Sequence, residues 1–530
     1  MKKLNHLVFW PPFILLLVTI GLSLQFPAEF SAWVRSVRDW IVINFDFLFT
    51  WSTFFFLIIL ATIYFSPLAK IKIGGKDAKP MLKRWRWFSI TLTTTIATGI
   101  LFWGTAEPMY HFHGPPEGLG IDPGSREAAI FAMSTMIMHW TITPYGIYTI
   151  TGLLFALVYY NLKQPYSLGS LLYPVLGEHA HGWWSKLINM VCLYALVMGM
   201  AASMGTGILT IAGGLGKTMG IASSSALLGI ICLFIVAAFV VSSATGLMKG
   251  IRTLSDWNIK AFIGLALFIF FAGPTMYMLQ IGAEGMGDFL TTFLPRSTDI
   301  SNPIENEWQY SWTISYWANW MAWAPITALF LGRIAFGYTV RDFINYNLLL
   351  PSLFGAMWMM IFSGGAMGMD VASEGNLINQ ALTTEGPEAV VFKMTELLPF
   401  GSVLAIVFLL IAYLSYVTAA DSNTSAMSSM STVGISPDNP ESPLLIKVAW
   451  GAIIGGLSWV MISAKGMDGA KEISVLGGFP ALFLIMLVGV GLVKIMASKK
   501  SIVALQEGIS IREIEDRGDT EGKAALEGES

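Results

Sequence analysis

The first 24 residues, "MKKLNHLVFWPPFILLLVTIGLSL" (1–24), pose the choice that decides the fold. Two lysines ahead of an apolar run resemble a secretory leader. The run is longer than the roughly 7–15 residues of a leader core, and no small-residue cleavage site follows it. We read it as an uncleaved first membrane span. The rest of the chain is then read on the same scale, in apolar runs of about 20 residues, the length that crosses a bilayer core of about 30 Å.

Such runs recur to the far end. Of 530 residues, 55% are hydrophobic and only 12% are charged, with mean hydropathy +0.64. A soluble protein of this length needs far more charge to cover its surface. Twelve spans are expected, at 8–26, 47–66, 86–107, 129–160, 184–212, 223–244, 255–281, 310–336, 345–368, 400–432, 443–464 and 474–497. The fold class is an all-α polytopic membrane protein. A net charge of −3 and the lack of a basic patch exclude a nucleic-acid partner. Cys192 and Cys232 lie in apolar runs and read as small buried hydrophobes, not as a disulfide.

Charge sets the expected orientation. The loop holding Lys70, Lys72, Lys76, Lys79, Lys83, Arg84 and Arg86 is strongly basic, which puts it and both chain ends in the cytoplasm. The opposite face is acidic, with Glu284, Asp288, Asp299, Glu305 and Glu307 in one loop and Asp370, Glu374, Glu385 and Glu388 in another. "GAEGMGDFLTTFLP" (282–295) is too polar to cross and is expected to lie along the outer surface, with 376–398 similar. The tail after Lys500 reads as solvated or disordered.

Four segments place chemistry at mid-membrane depth. In "TLTTTIATGILFWGTAEP" (91–108), threonines crowd around Ile96, Ala97, Thr98 and Gly99. Threonine and glycine stabilise a helix poorly, so the stretch reads either as locally unwound backbone lining a cavity or as close packing through small residues. In "MHWTITPYGIY" (138–148), Pro144 can bend the helix between Trp140 and the pair Tyr145 and Tyr148. Eight residues rotate a helix by about 80°, so Trp140 and Tyr148 can share one broad face. An interfacial aromatic belt is the other reading.

"SYWANWMAWAP" (315–325) carries Trp317, Trp320 and Trp323 in steps of three, with Tyr316 and Asn319 between. The stripe is either structural or an aromatic box for a quaternary ammonium, whose charge suits electronegative ring faces at about 0.5–2 kcal/mol per contact. In "LSYVTAADSNTSAMSSMST" (414–432), Asp421 reads as either a functional or a hydroxyl-bonded structural acid. His111 with His113, and His179 with His181, fall on opposite sides of the membrane in this topology. No carboxylate or cysteine cluster accompanies either pair, so no metal centre is expected. No nucleophile–base pair or phosphate loop suggests an enzyme.

These residues resemble the betaine/carnitine/choline transporters. The likeness is carried by "FWGTAEPMYH" (102–111), "HWTITPYGIY" (139–148), "KGIRTLSDWN" (249–258), "WTISYWANWMAWAP" (312–325), "GRIAFGYTVRDF" (332–343) and "TAADSNTSAMS" (418–428), and it runs from the first span to the twelfth. The resemblance implies a LeuT-like fold: two N-terminal helices and a basic loop (1–85), a first five-helix repeat (86–281, spans 3–7), a surface segment (282–309), an inverted second repeat (310–498, spans 8–12) and a cytoplasmic tail (499–530). It further implies a homotrimer in the inner membrane that moves a betaine-like small molecule by alternating access.

On the same ground the aromatic box comprises Trp140, Tyr148, Trp320 and Trp323, with Tyr145 where tryptophan is common. The family's glycine-rich stretch is "TIATG" (95–99), and Asn319 replaces one ring of its usual tryptophan series. The family's sodium ligands carry over only in part. A single sodium held by Thr93, Ile96, Ser415 and Thr418 is one option, with proton coupling or substrate exchange as the others; no other cofactor is expected.

Overall fold

The computed structural model describes residues 3–95, 99–245, 248–300, 307–434 and 442–514. It is almost entirely helical. The long helices are α1 (His6–Gln25), α2 (Pro27–Phe65), α3 (Arg84–Thr95), α4 (Gly99–His113), α5 (Arg126–Trp140), α6 (Ile142–Ala156), α7 (Trp183–Met219), α8 (Ser225–Thr245), α9 (Met248–Ala272), α10 (Thr275–Thr298), α11 (Ser315–Ile334), α12 (Leu350–Ala372), α13 (Gly401–Met430), α14 (Leu444–Lys465), α15 (Met467–Ala497) and α16 (Lys499–Glu507). Among the described residues eight helical runs are long and apolar enough to cross a membrane, or nine if α9 and α10 count as one bent span. The chain is a polytopic membrane protein.

Local chemistry accounts for several boundaries. α2 opens on Pro27, whose missing N–H costs nothing in a first turn. It starts twenty residues earlier than the hydropathy run, because the charges at Arg35, Arg38 and Asp39 lower the hydropathy of a segment that is nonetheless helical. Ser125 caps α5 by accepting from the Ala128 N–H, and Thr339 with Asp342 forms a reciprocal capping box before α12. Between α9 and α10 the chain turns by 104° at Gly273 and Pro274, so the 282–295 segment belongs to a helix set across its predecessor. Part of the tail is a correction: Lys499–Glu507 forms a helix with Ser501, Ala504 and Leu505 buried, not a solvated coil, while 515–530 lie outside the described residues.

The span expected at 129–160 is broken. α5 ends at Trp140, Thr141 takes φ −125° and ψ −114°, and α6 restarts at Ile142. Pro144 has no N–H to return to residue 140, which frees the Trp140 carbonyl. That carbonyl faces Gly355 of α12, where a Cβ would lie 2.7 Å from it. Only glycine lets α12 close over the break.

α11 sits at the centre of the bundle, packed against α6, α7 and α15, while α4 packs on α5 and α12. These helices place the side chains described next. A short strand (Lys3–Leu4) pairs antiparallel with residues Thr432–Val433 and ties the start of α1 to the end of α13. Cys192 and Cys232 are free and buried.

Candidate functional site

Glu107 of α4 is fully buried in the bundle and organises the site. Its Oε2 accepts from the Trp140 indole N–H at 2.8 Å and from the Tyr316 hydroxyl. Its Oε1 faces His139 Nδ1 at 2.6 Å and His111 Nε2 at 3.3 Å. The Trp308 indole, which can only donate, points at His111 Nδ1 at 3.3 Å. In a neutral imidazole that puts the His111 proton on Nε2, aimed at the carboxylate. His139 Nε2 pairs with the Thr313 hydroxyl at 3.0 Å. Four groups from three helices thus converge on one carboxylate, enough to offset the cost of burying its charge.

Sequence reasoning missed this network. It paired His111 with His113, two residues apart and so on different sides of a helix, whereas Glu107 and His111 are four apart and share a face. His139, from the next helix, completes a group whose ligand-type atoms lie within 4.8 Å of one another. The expectation that no carboxylate accompanies these histidines is therefore corrected. The hydrogen-bond pattern describes a carboxylate held by donors: the His111 nitrogen nearest Glu107 carries a proton in the neutral ring and has no lone pair to offer an ion there.

Above and below the network runs a column of rings. Tyr110 meets Trp312 (centroids 5.2 Å apart), Trp312 meets Trp103 (5.8 Å), Trp103 meets Tyr316 (6.3 Å), Tyr316 meets Trp140 (5.4 Å), Trp140 meets Trp320 (5.6 Å) and Trp320 meets Tyr148 (5.1 Å). Tyr145 lies 6.1 Å from Trp320. Trp140, Tyr145, Tyr148 and Trp320 therefore share one cluster. Trp317 stands edge-on to His139 at 5.6 Å, and Trp323 packs against Gly199 of α7. The Trp320 indole N–H is buried without a hydrogen-bond partner among the described residues.

A narrow cleft of about 60 Å³ opens beside this column. Its lining is aromatic at Trp103, Trp140 and Tyr316, beside Gly99, and polar at Asn319, Ser474 and Lys471. The Ser474 hydroxyl donates to the Asn319 amide oxygen at 3.1 Å. Of the residues singled out in the sequence, Gly99, Trp140 and Asn319 line the cleft; Tyr145, Tyr148, Trp317, Trp320 and Trp323 do not. Ile96, Ala97, Thr98 and the proposed unwinding there lie outside the described residues. Lys471 falls in the gap between the last two expected spans, 443–464 and 474–497, because its charge truncates the hydropathy run; α15 begins four residues before it.

The sodium ligands expected are described only in part. The Thr418 hydroxyl donates to the Leu414 carbonyl at 2.7 Å, with Ser415 on the same helix; Ile96 and the Thr93 side chain lie outside the described residues. Asp421 is buried on that helix too.

A family model described as BCCT, betaine/carnitine/choline family transporter, matches residues 7–501. Among curated proteins, a glycine betaine transporter of Acinetobacter baylyi is 27% identical over 95% of this chain and 75% of its own length. An ectoine/hydroxyectoine transporter of Virgibacillus pantothenticus is 29% identical over 92% and 95%. An osmo-independent choline transporter of Acinetobacter baylyi is 30% identical over 93% of each.

Proposed function

Because the chain belongs to the betaine/carnitine/choline family of transporters, and its members are not enzymes, we propose that it is a secondary transporter of a betaine-like zwitterion or quaternary ammonium solute, working by alternating access. The observation that carries this reading is the cleft lined by Trp103, Trp140 and Tyr316, with Trp320 against Trp140. A methylated cation has no N–H to donate, so ring faces suit it better than carboxylates do. Relatives named for betaine, choline and ectoine support the same class of solute.

In this reading the solute enters the cleft from the mouth, seats its cation on the outer rings, and passes to Trp140, Tyr148 and Trp320, with Trp323 closing the box, as α4 and α11 rock against their neighbours. Glu107 acts by positioning: it holds Trp140 and Tyr316 from behind, so the ring faces stay presented to the cleft. Twelve spans with both ends cytoplasmic, inverted repeats, a homotrimer and an inner-membrane location complete the proposal. Thr418 and Ser415 are the hydroxyls that would serve a coupling sodium; proton coupling or exchange would leave them idle.

The test is uptake of labelled betaine, choline, carnitine and dimethylsulfoniopropionate into liposomes holding the purified protein, with and without sodium and proton gradients. Saturable uptake of at least one is expected, and failure of all four with folded protein overturns the solute class. The Asn319–Ser474 pair in the cleft favours one alternative, a more polar osmolyte such as a sulfonate, which the same assay reads by competition.

A further inference from the structure

Lys471 sits on the first turns of α15, where Met467, Ala470, Lys471 and Ser474 follow the i, i+3, i+4, i+7 pattern and line one cleft. Its ammonium nitrogen lies 3.4 Å from the ring centroid of Trp312, 5.2 Å from that of Trp103 and 5.9 Å from that of Tyr110. The protein's own cation therefore rests on the outer end of the aromatic column. Among the described residues it has no carboxylate partner: the adjacent Glu472 is engaged by Lys465 at 2.8 Å and Arg35 at 3.7 Å, and Glu107 is taken up by its own donors. Asp468 and Glu107 attract it from farther off, and Arg38 repels it.

An ammonium that lines a solute cleft and rests on rings, with no carboxylate in contact among the described residues, is suited to receive an anionic group. A purely cationic solute entering the cleft meets a like charge. A zwitterion meets the same charge with its acidic group, and draws the lysine off the rings that its own cation can then use. We propose that Lys471 is the anion-recognising residue of this cleft, and that the transporter selects solutes carrying both a quaternary cation and a carboxylate or sulfonate over solutes carrying the cation alone. This rests on the transport reading above.

Glycine betaine and choline test it, since they share the trimethylammonium and differ in a carboxylate against a hydroxyl. In proteoliposomes, Lys471→Gln is expected to raise the KM for betaine at least about tenfold while leaving that for choline unchanged or lower. Equal shifts for both, or no shift for betaine, overturn the assignment. The wild-type protein gives a second reading that needs no variant. In thermal-shift binding, 3,3-dimethylbutyrate, which keeps the carboxylate without the cation, is expected to stabilise more than 3,3-dimethylbutanol; the reverse order overturns the assignment. Wild-type uptake of neither betaine nor choline, nor of any other quaternary solute, removes the transport reading and this assignment with it. Uptake of both with a uniform effect of Lys471→Gln removes this assignment alone.

Discussion

At the scale of single residues, Glu107 separates a structural aromatic stripe from an organised one. Its carboxylate accepts from Trp140 and Tyr316 on one oxygen and meets His139 and His111 on the other. In Glu107→Gln the new amide NH₂ must face two existing donors, so at least one buried pair is lost, at about 1–3 kcal/mol. We expect lower thermal stability and at least about a tenfold loss of transport, read by melting and by uptake; unchanged uptake would show that the rings hold their places unaided. Trp320→Leu is expected to weaken binding of trimethylated solutes at least about tenfold, corresponding to about 1.4 kcal/mol of ring–cation attraction, measured by thermal shift. The tryptophans were legible from spacing because ring residues stand out in an apolar run. Glu107 was not, because it fell at the end of a span drawn by hydropathy, where an acid reads as interfacial; the helix runs on to His113 and buries it. Its i, i+4 relation to His111 was the signal available.

At the scale of helices, the cleft depends on how closely α15 approaches α11. Gly478 lies against the Ala318 carbonyl, where a Cβ would stand 2.1 Å from the oxygen, and Gly477 beside it faces Met198 of α7. Small residues at such a crossing let backbones meet, and the next turn of α15 then brings Ser474 to Asn319. Gly478→Ala pushes against backbone, which cannot rotate away, and is expected to cost about 1–3 kcal/mol and to abolish saturable uptake while the protein still reaches the membrane. Normal uptake by this variant would place the crossing outside the transport cycle. Helix existence and order were readable from hydropathy, but this approach was not, since a glycine pair inside an apolar run says nothing about which neighbour it meets. The break at Thr141 was half readable: Pro144 announced it, but the displacement to a site three residues earlier follows from the carbonyl that proline leaves unpaired.

Across the whole molecule, one end is drawn together at Asn161. Asn161 is fully buried, its amide donates to the carbonyls of Leu505 and Lys72 at 2.6 and 2.8 Å, and its oxygen accepts from the Gly74 N–H at 2.8 Å. The basic loop, the end of the α6 run and the tail helix α16 therefore meet at one point, with an exposed Lys76–Glu507 pair that adds little. Asn161→Ala should free the tail, seen as faster trypsin cleavage at Lys499, Lys500 and Arg512 and a lower melting temperature; identical digestion would show that α16 is held by its apolar face alone. Composition made the tail look unstructured because two buried anchors, Ala504 and Leu505, are too few to register in a sequence average. The ring column has a consequence for observing the protein at work. Of 19 tryptophans, Trp103, Trp140, Trp312 and Trp320 belong to one chain of touching rings. Light absorbed anywhere along it can migrate to its neighbours. A solute parting Trp140 from Trp320 should therefore alter the ultraviolet emission of the unlabelled protein, giving occupancy an optical signal without an attached dye.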